Sequence, residues 1–174
     1  MVVQASPSLQ KWVEELFVAN VDAVYNVAYR VLWSRADAED AVQSTFVKGF
    51  TRIAQLDATS KARAWLLQIA YREAITIVRR RRDLPTDPSE MPVSAGHEPG
   101  PADHAIASAV AEQLSLALNQ LGEDERMAVV LRDVEQLPMR DVADVLEVGV
   151  SAAKMRVHRG RAQLRRILSA ADVL

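Results

Sequence analysis

The side chains best suited to chemistry lie near the end of the chain, where positive charge is dense. Between residues 151 and 171 there is no acid, but there are six cations: Lys154, Arg156, Arg159, Arg161, Arg165 and Arg166. Lysine and arginine neutralise phosphates, and arginine also pairs with the edge of guanine. Four apolar residues at helical spacing predict that these cations surround one helix: Ala153, Val157, Leu164 and Leu168. The pattern favours DNA binding, although basic helix faces are commonly just solvated.

A shorter helix precedes this basic helix. Its buried face is indicated by four residues at the i, i+3, i+4, i+7 spacing: Met139, Val142, Ala143 and Leu146. Pro138 suits the first turn of that helix, Gly149 is expected to take a positive φ in the following turn, and Ser151 is expected to cap the basic helix. Two helices joined in this way predict a helix-turn-helix that places the second helix in the major groove.

Composition limits the remaining possibilities. The 174 residues contain no cysteine, six glycines and only three scattered histidines, so neither a metal or cofactor site nor a catalytic group is predicted. No apolar run approaches a membrane span, and the N-terminus lacks the layout of a signal peptide. We therefore expect a cytoplasmic protein that is not an enzyme.

Charge and proline divide the chain. Residues 83–105 hold five of the seven prolines and five acids, with no lysine or arginine. Such a stretch buries too little apolar surface to fold and predicts an extended linker. The sequence thus predicts an all-α fold of two small helical domains, 1–82 and 106–174, joined by a flexible acidic linker.

Three helices are predicted in the first domain. The first begins near Leu9, with a possible break near Asn20; the second covers 38–53 and is capped by Asp37; the third covers 65–82, after a loop at 56–63. The second helix carries a stripe opposite its apolar face, which spacing alone suggests is solvent-facing: Asp40, Gln43, Ser44 and Val47. The third ends in four arginines, Arg79–Arg82, which either complement the helix dipole or meet phosphate or acidic protein.

Two more helices are predicted before the helix-turn-helix. One has apolar residues at 106, 110, 114 and 118 and ends at Leu121 and Gly122. The other has four apolar residues in helical register: Met127, Val130, Leu131 and Val134.

Three segments resemble the bacterial sigma factors of the extracytoplasmic-function (ECF) group, group 4 of the sigma-70 family. They are DAEDAVQSTFVKGF (37–50), ARAWLLQIAYREAITIVRRRR (62–82) and the stretch from LGEDERMAVVL through RGRAQLRRIL (121–168). The resemblance implies that the two domains are sigma domains 2 and 4, which direct core RNA polymerase to promoters and open the −10 element without ATP hydrolysis. It implies core RNA polymerase and promoter DNA as partners, an anti-sigma factor as a further candidate, and neither cofactor nor membrane insertion.

For polymerase binding, the resemblance implies that the helix beginning at Asp37 docks on the clamp of the largest subunit, while domain 4 meets the β flap. The implied clamp contacts are Asp37, Asp40, Gln43, Ser44 and Val47. The family often has an acid where Ser44 stands, so one charge contact is expected to be missing here.

For DNA, the resemblance assigns the −10 element to domain 2, with flipped bases captured around residues 56–65. The implied −10 contacts are Asp57, Lys61, Arg63, Trp65, Arg72, Thr76, Arg79 and Arg80. The family usually has Asn where Arg72 stands and an acid where Thr76 stands, so this face is expected to be more positive.

The −35 element is assigned to the last helix. The implied contacts are Ser151, Lys154, Met155, Arg156, His158, Arg159 and Arg161, with Met155, His158 and Arg159 reading bases and the other cations on phosphates. Met155 stands where the family often has a small polar residue, which predicts a different −35 sequence.

Two other functions remain open from the sequence. A stand-alone helix-turn-helix regulator would bind duplex DNA without docking on polymerase, and its stripe at 40–44 would face water. A sequestered interaction module would have an anti-sigma factor as its main stable partner, which is compatible with the sigma-factor interpretation.

Overall fold

The computed structural model describes residues 7–53, Leu56, 61–83 and 105–170, and every regular element within them is helical. The predicted all-α fold is confirmed for this part of the chain. The chain divides into two compact units, Met1–Leu84 and Pro85–Leu174. The predicted linker falls almost entirely outside the described residues, so its bounds stay a prediction.

The described part of the first unit contains three α-helices: α1 (Pro7–Leu32), α2 (Arg35–Arg52) and α3 (Ala62–Asp83). Their shared core includes the fully buried side chains of Val24, Val27, Leu66 and Leu67. Helices α2 and α3 are antiparallel, because one ion pair joins the start of α2 to the end of α3 and another joins the last third of α2 to the middle of α3. These pairs are Asp37–Arg81 and Lys48–Glu73, the second with 2.6 Å between Nζ and Oε1.

Helix α1 runs unbroken through Asn20, so the break expected there is wrong. The Asn20 side chain is buried, and its Nδ2 donates to the carbonyl oxygen of Leu16 at 2.7 Å. Its Oδ1 accepts from Nη1 of Arg63 on α3 at 3.3 Å. Because both ends of the amide are hydrogen-bonded, a buried polar residue is tolerated within the helix.

The corner between α1 and α2 also differs from expectation. Helix α2 begins at Arg35, and Ser34 is its N-cap, with Oγ accepting from the amide of Asp37 at 3.4 Å. Asp37 is therefore inside the first turn and is not the cap. The preceding residue, Trp33, has a φ of 50°, a left-handed conformation that ends α1.

The second unit contains α4 (Ala105–Asn119), α5 (Glu123–Val129), α6 (Met139–Val145) and α7 (Val150–Ala170). Its core includes Leu118, Leu121, Val129 and Val130. Helix α7 crosses α5 at Gly160, where a Cβ atom would lie 2.9 Å from the carbonyl oxygen of Glu125. Only a glycine allows this close approach.

The helix predicted to include Met127 to Val134 is α-helical only as far as Val129. Residues Val130–Val134 form a π-helical turn, closed by a bond from the amide of Glu135 to the carbonyl of Val130 at 2.9 Å. The wider turn rotates the following side chains out of register. Val134 is consequently 48% exposed, and its predicted place on the buried face is wrong.

The turn of the helix-turn-helix is built differently from the prediction. The positive φ belongs to Glu147, at 55°, and among the described residues no glycine has one. The amide of Val148 donates to the carbonyl of Ala143 at 3.0 Å, and that of Glu147 to Asp144 at 3.3 Å. This is a Schellman motif, which places the left-handed residue directly after the helix. Gly149 comes two residues too late for that role.

Both helix starts differ from expectation: Pro138, expected in the first turn of α6, lies one residue before it, and Ser151, expected as the N-cap of α7, lies two residues after the cap. Pro138 is the N-cap of α6 and lies just before its first turn, and its carbonyl accepts from the amide of Val142 at 3.0 Å. Ser151 lies inside the first turn of α7, which begins at Val150. The carbonyl of Gly149 accepts from the amide of Ala153 at 3.0 Å.

Candidate nucleic-acid interface

Helix α7 has one face that seats it on the protein and one that faces solvent. The buried face consists of Ala153, Val157 and Gly160. With 3.6 residues per turn, the opposite side carries four of the predicted −35 contacts, all exposed: Ser151, Met155, His158 and Arg159. The structure therefore brings these four together on one surface.

Two predicted −35 residues, Arg156 and Arg161, are bound within the protein. Nη2 of Arg156 lies 2.9 Å from Oδ2 of Asp124 on α5. Arg161 makes a two-bond contact with Asp133 in the π-helical turn, with Nε–Oδ2 at 2.9 Å and Nη2–Oδ1 at 2.5 Å. The hydrogen bond to Asp133 raises the pKa of the Arg161 guanidinium above its ordinary value. Both arginines flank the buried face of α7 and tie it to the elements beneath.

Lys154 differs from these two arginines. It is exposed on α7 and adjoins the solvent-facing side of the helix. Its ammonium group is thus open to solvent.

A stripe of residues on α3 forms a second surface. The helical repeat places five predicted −10 contacts on one side of α3 or at its start: Lys61, Trp65, Arg72, Thr76 and Arg79. The three cations are exposed, while Trp65 and Thr76 are half-buried. The Thr76 hydroxyl donates to the carbonyl of Arg72 at 2.7 Å, so its oxygen remains available as an acceptor. Arg80 is exposed beside this stripe.

Arg63 and Asp57 do not join that stripe. Arg63 points to the other side of α3, towards Asn20 of α1, and is half-buried. Its guanidinium therefore helps to hold two helices together. Asp57 lies outside the described residues.

The stripe on α2 is exposed and more apolar than its sequence suggested. Asp40 and Gln43 are exposed, Ser44 is half-buried, and Val47 is 60% exposed. Phe50 continues the same line at the next turn and is 51% exposed. Sequence reasoning missed Phe50, although its spacing of seven residues from Gln43 and three from Val47 was a usable signal. Val47 and Phe50 adjoin on this face, and contiguous exposed apolar side chains, unlike single ones, can mark a protein-binding surface.

Asp37 is set apart from the α2 stripe by its partner. Its carboxylate pairs with Arg81 at the end of α3 and is largely shielded from solvent. One of the four terminal arginines thus has a local structural role.

The described residues offer neither a metal site nor a membrane-spanning helix. No cluster of three or more histidine, cysteine or acidic side chains there is placed to hold a metal ion. In the same residues, no helix is both long and apolar enough to cross a membrane.

Comparison with known proteins gives the same division of the chain. Residues 16–83 match the family model of Sigma-70 region 2, and residues 111–164 match that of Sigma-70, region 4. The first match contains α2 and α3, and the second contains α6 and most of α7.

Individual relatives agree with the family models. The ECF RNA polymerase sigma factor SigE of Mycolicibacterium smegmatis is 34% identical over 93% of this chain, which spans 63% of the relative's length. SigW of Bacillus subtilis, also an ECF RNA polymerase sigma factor, is 25% identical over 84% of this chain and 83% of its own.

A solved structure shows the same fold. It is the sigma factor RpoE in complex with the anti-sigma factor NepR from Bartonella quintana, with a TM-score of 0.79 and 24% identity. The likeness covers 90% of this chain and 96% of that one. Both sigma-70 regions occur here in order, each on its own helical unit, and the chain therefore belongs to the sigma-70 family, among its ECF RNA polymerase sigma factors.

Proposed function

We propose that this chain is a dissociable initiation factor that binds core RNA polymerase in the cytoplasm and directs it to specific promoters. The observation that carries the proposal is the presence of both sigma-70 regions, each with its own exposed surface. One surface suits a protein partner, and the other two suit DNA.

The α2 stripe is the proposed contact with the clamp of the polymerase's largest subunit. Val47 and Phe50 supply apolar area, and Asp40 and Gln43 supply polar groups beside it. Interfaces commonly combine an apolar centre with a polar rim. Ser44 contributes a hydroxyl, and Asp37 acts indirectly by fixing the start of α2 against Arg81.

The α3 stripe is the proposed contact with the −10 element. Its cations match a phosphate backbone, and Trp65 offers a ring on which an unstacked base can stack. Asp57 and Arg63 are assigned to the same region on the family resemblance alone. Stacking and phosphate contacts together stabilise separated strands without ATP hydrolysis.

The exposed face of α7 is the proposed contact with the −35 element. Met155, His158 and Arg159 face base edges, with Ser151 and Lys154 beside them. Arg156 and Arg161 act by holding α7 in place on the protein. The same unit would also meet the polymerase β flap.

An anti-sigma factor is a further proposed partner. The Bartonella relative was solved with one, and the exposed apolar side chains on α2 give such an inhibitor a surface that polymerase also needs. Occupying that surface would keep the factor from polymerase.

Transcription with purified components tests the proposal. Core bacterial RNA polymerase, with and without the chain, is supplied with a promoter library, and run-off transcripts are sequenced. Chain-dependent transcripts with shared upstream elements are expected. Tight duplex binding by the chain alone, with no transcript, would favour a stand-alone regulator instead.

A double substitution on α2 tests the docking surface. Asp40→Ala with Gln43→Ala should weaken binding to core polymerase about tenfold or more, because the polar groups of two side chains are removed from the contact and each lost hydrogen bond costs about 0.5–1.5 kcal/mol. Asp22→Ala, which removes an exposed acid from α1, is the matched control and should bind normally. Circular dichroism checks that both variants keep their helices. Normal binding by the double variant would overturn the docking assignment.

A further inference from the structure

Met155 is unusual among the residues on the solvent-facing side of α7. Its side chain is 51% exposed, although large apolar groups are normally buried. It lies opposite the buried residues Ala153, Val157 and Gly160, at the middle of the exposed face. Packing within the unit therefore does not account for it.

The neighbours of Met155 define a small mixed surface. Ser151 lies one turn before it, and His158 and Arg159 lie one turn after it, all exposed. Arg156 and Arg161 are held at the flanks by Asp124 and Asp133. The centre of the face thus presents a thioether between a hydroxyl on one side and two nitrogen-bearing groups on the other.

The chemistry of the major groove offers one apolar group that fits such a surface, the 5-methyl of thymine. Methionine is unbranched and polarizable, so it adapts to a small apolar target. Building on the proposed function, we propose that Met155 is a specificity-determining residue that contacts a thymine methyl in the −35 element.

Spacing along the helix locates that thymine relative to a guanine. Met155 and Arg159 are four residues apart, or about 6 Å along the axis at roughly 1.5 Å per residue. This is close to two base-pair steps of about 3.4 Å. With Arg159 on guanine, the thymine lies within about two base pairs of it.

Removing the methyl alone tests the proposal. Duplexes are selected from a random pool by the full chain, once with core polymerase and once without. Each thymine of the selected upstream element is then replaced singly by deoxyuridine, which lacks only the 5-methyl group. Affinities are measured by fluorescence anisotropy for the wild type and three variants.

The expected result is position-specific. At one thymine near a guanine, deoxyuridine should weaken wild-type binding about fourfold, the size expected for one buried methyl-sized group. Met155→Ala should bind both duplexes equally, and Met155→Leu should keep the dependence. Leu116→Ala, which removes an equally exposed apolar side chain from α4 (53%), should behave as the wild type.

Other outcomes would overturn the assignment. These are an element without thymine, no effect of deoxyuridine at any position, or the same loss in Met155→Ala as in the wild type. If duplexes are selected only in the experiment without core polymerase, the proposed role in initiation is contradicted. The comparison of thymine with deoxyuridine then still tests the contact of Met155. No selected sequence in either arm would contradict both.

Discussion

At the scale of single residues, the cations of α7 divide into two kinds. Lys154 is exposed, whereas Arg161 donates two hydrogen bonds to Asp133. A guanidinium already bound in this way has less to gain from a phosphate. The number of positive charges on a helix therefore overstates the number of phosphates it neutralises.

The salt dependence of DNA binding should distinguish the exposed cations of α7 from the arginines that are bound to acids. Lys154→Ala should reduce the slope of log affinity against log salt by about 0.9, the value for one lost phosphate contact. Arg161→Ala should change the slope less and should instead lower the melting temperature slightly, because an exposed ion pair contributes about 0–1 kcal/mol. Binding titrations at several salt concentrations and thermal unfolding measure both. Equal slope changes in the two variants would show that Arg161 contacts phosphate directly.

Tyr25 on α1 gives a residue-scale prediction about pH. Burial raises the pKa of its phenol above the ordinary 10.0, although the nearby Arg35 opposes the shift. A raised folded-state pKa means that the neutral phenol favours the folded state. This stabilisation is complete below pH 10 and is lost as pH rises through the folded-state pKa. Between pH 9 and pH 11 the melting temperature should therefore fall less steeply for Tyr25→Phe than for the wild type. Parallel curves of melting temperature against pH would contradict this role of Tyr25.

At the scale of elements, helix positions and apolar faces were predictable, and helix ends were less so. The helical periods of α2, α3, α6 and α7 follow directly from apolar spacing. The residue with a positive φ after α6 could not be located from the position of Gly149. The Schellman motif requires the left-handed conformation at Glu147, although this residue is not a glycine. The π-helical turn left no mark in the pattern, and so Val134 was misplaced.

The candidate sites were predictable to a similar degree. Residues on one helix face, such as Asp40, Gln43 and Val47, were grouped correctly from spacing. Pairings between distant segments were not, since Arg161 and Asp133 are 28 positions apart. Such contacts depend on the angle and position at which two helices pack, and this geometry cannot be read from a single sequence.

The crossing of α7 over α5 yields a prediction of its own. A Cβ at Gly160 would lie 2.6 Å from Cγ2 of Val129 and 2.9 Å from a backbone oxygen, so Gly160→Ala forces the helices apart. We expect a loss of about 1–3 kcal/mol, the usual cost of overpacking. That cost is partly offset by the better helix propensity of alanine. Gly149→Ala, which has open space around it, is the control in chemical denaturation, and equal stability of both variants would contradict the role of this crossing.

At the scale of the whole molecule, each unit has its own buried core. Leu66 and Leu67 belong to the first, and Leu118 and Val130 belong to the second. Units with separate cores can fold alone. The proposed division of labour, with polymerase docking on one and −35 recognition on the other, follows the same boundary.

Fragments test this independence. Chains covering residues 1–84 and 85–174 should each show helical circular dichroism and a cooperative thermal transition. The first should bind core polymerase, and the second should retain the sequence preference for −35 duplexes at reduced affinity. An unfolded fragment would show that one core depends on the other.

The separation of the two sides of α7 has a consequence for how such a protein can change over generations. Gly160 and the acid-bound arginines fix where the helix sits, and none of them belongs to the solvent-facing side. Substitutions at Ser151, Met155 or His158 therefore leave the contacts that seat α7 unchanged. Under the proposed −35 recognition, a gene encoding this chain can acquire new target promoters by single mutations that spare the seating of α7, and the same freedom is open to directed evolution.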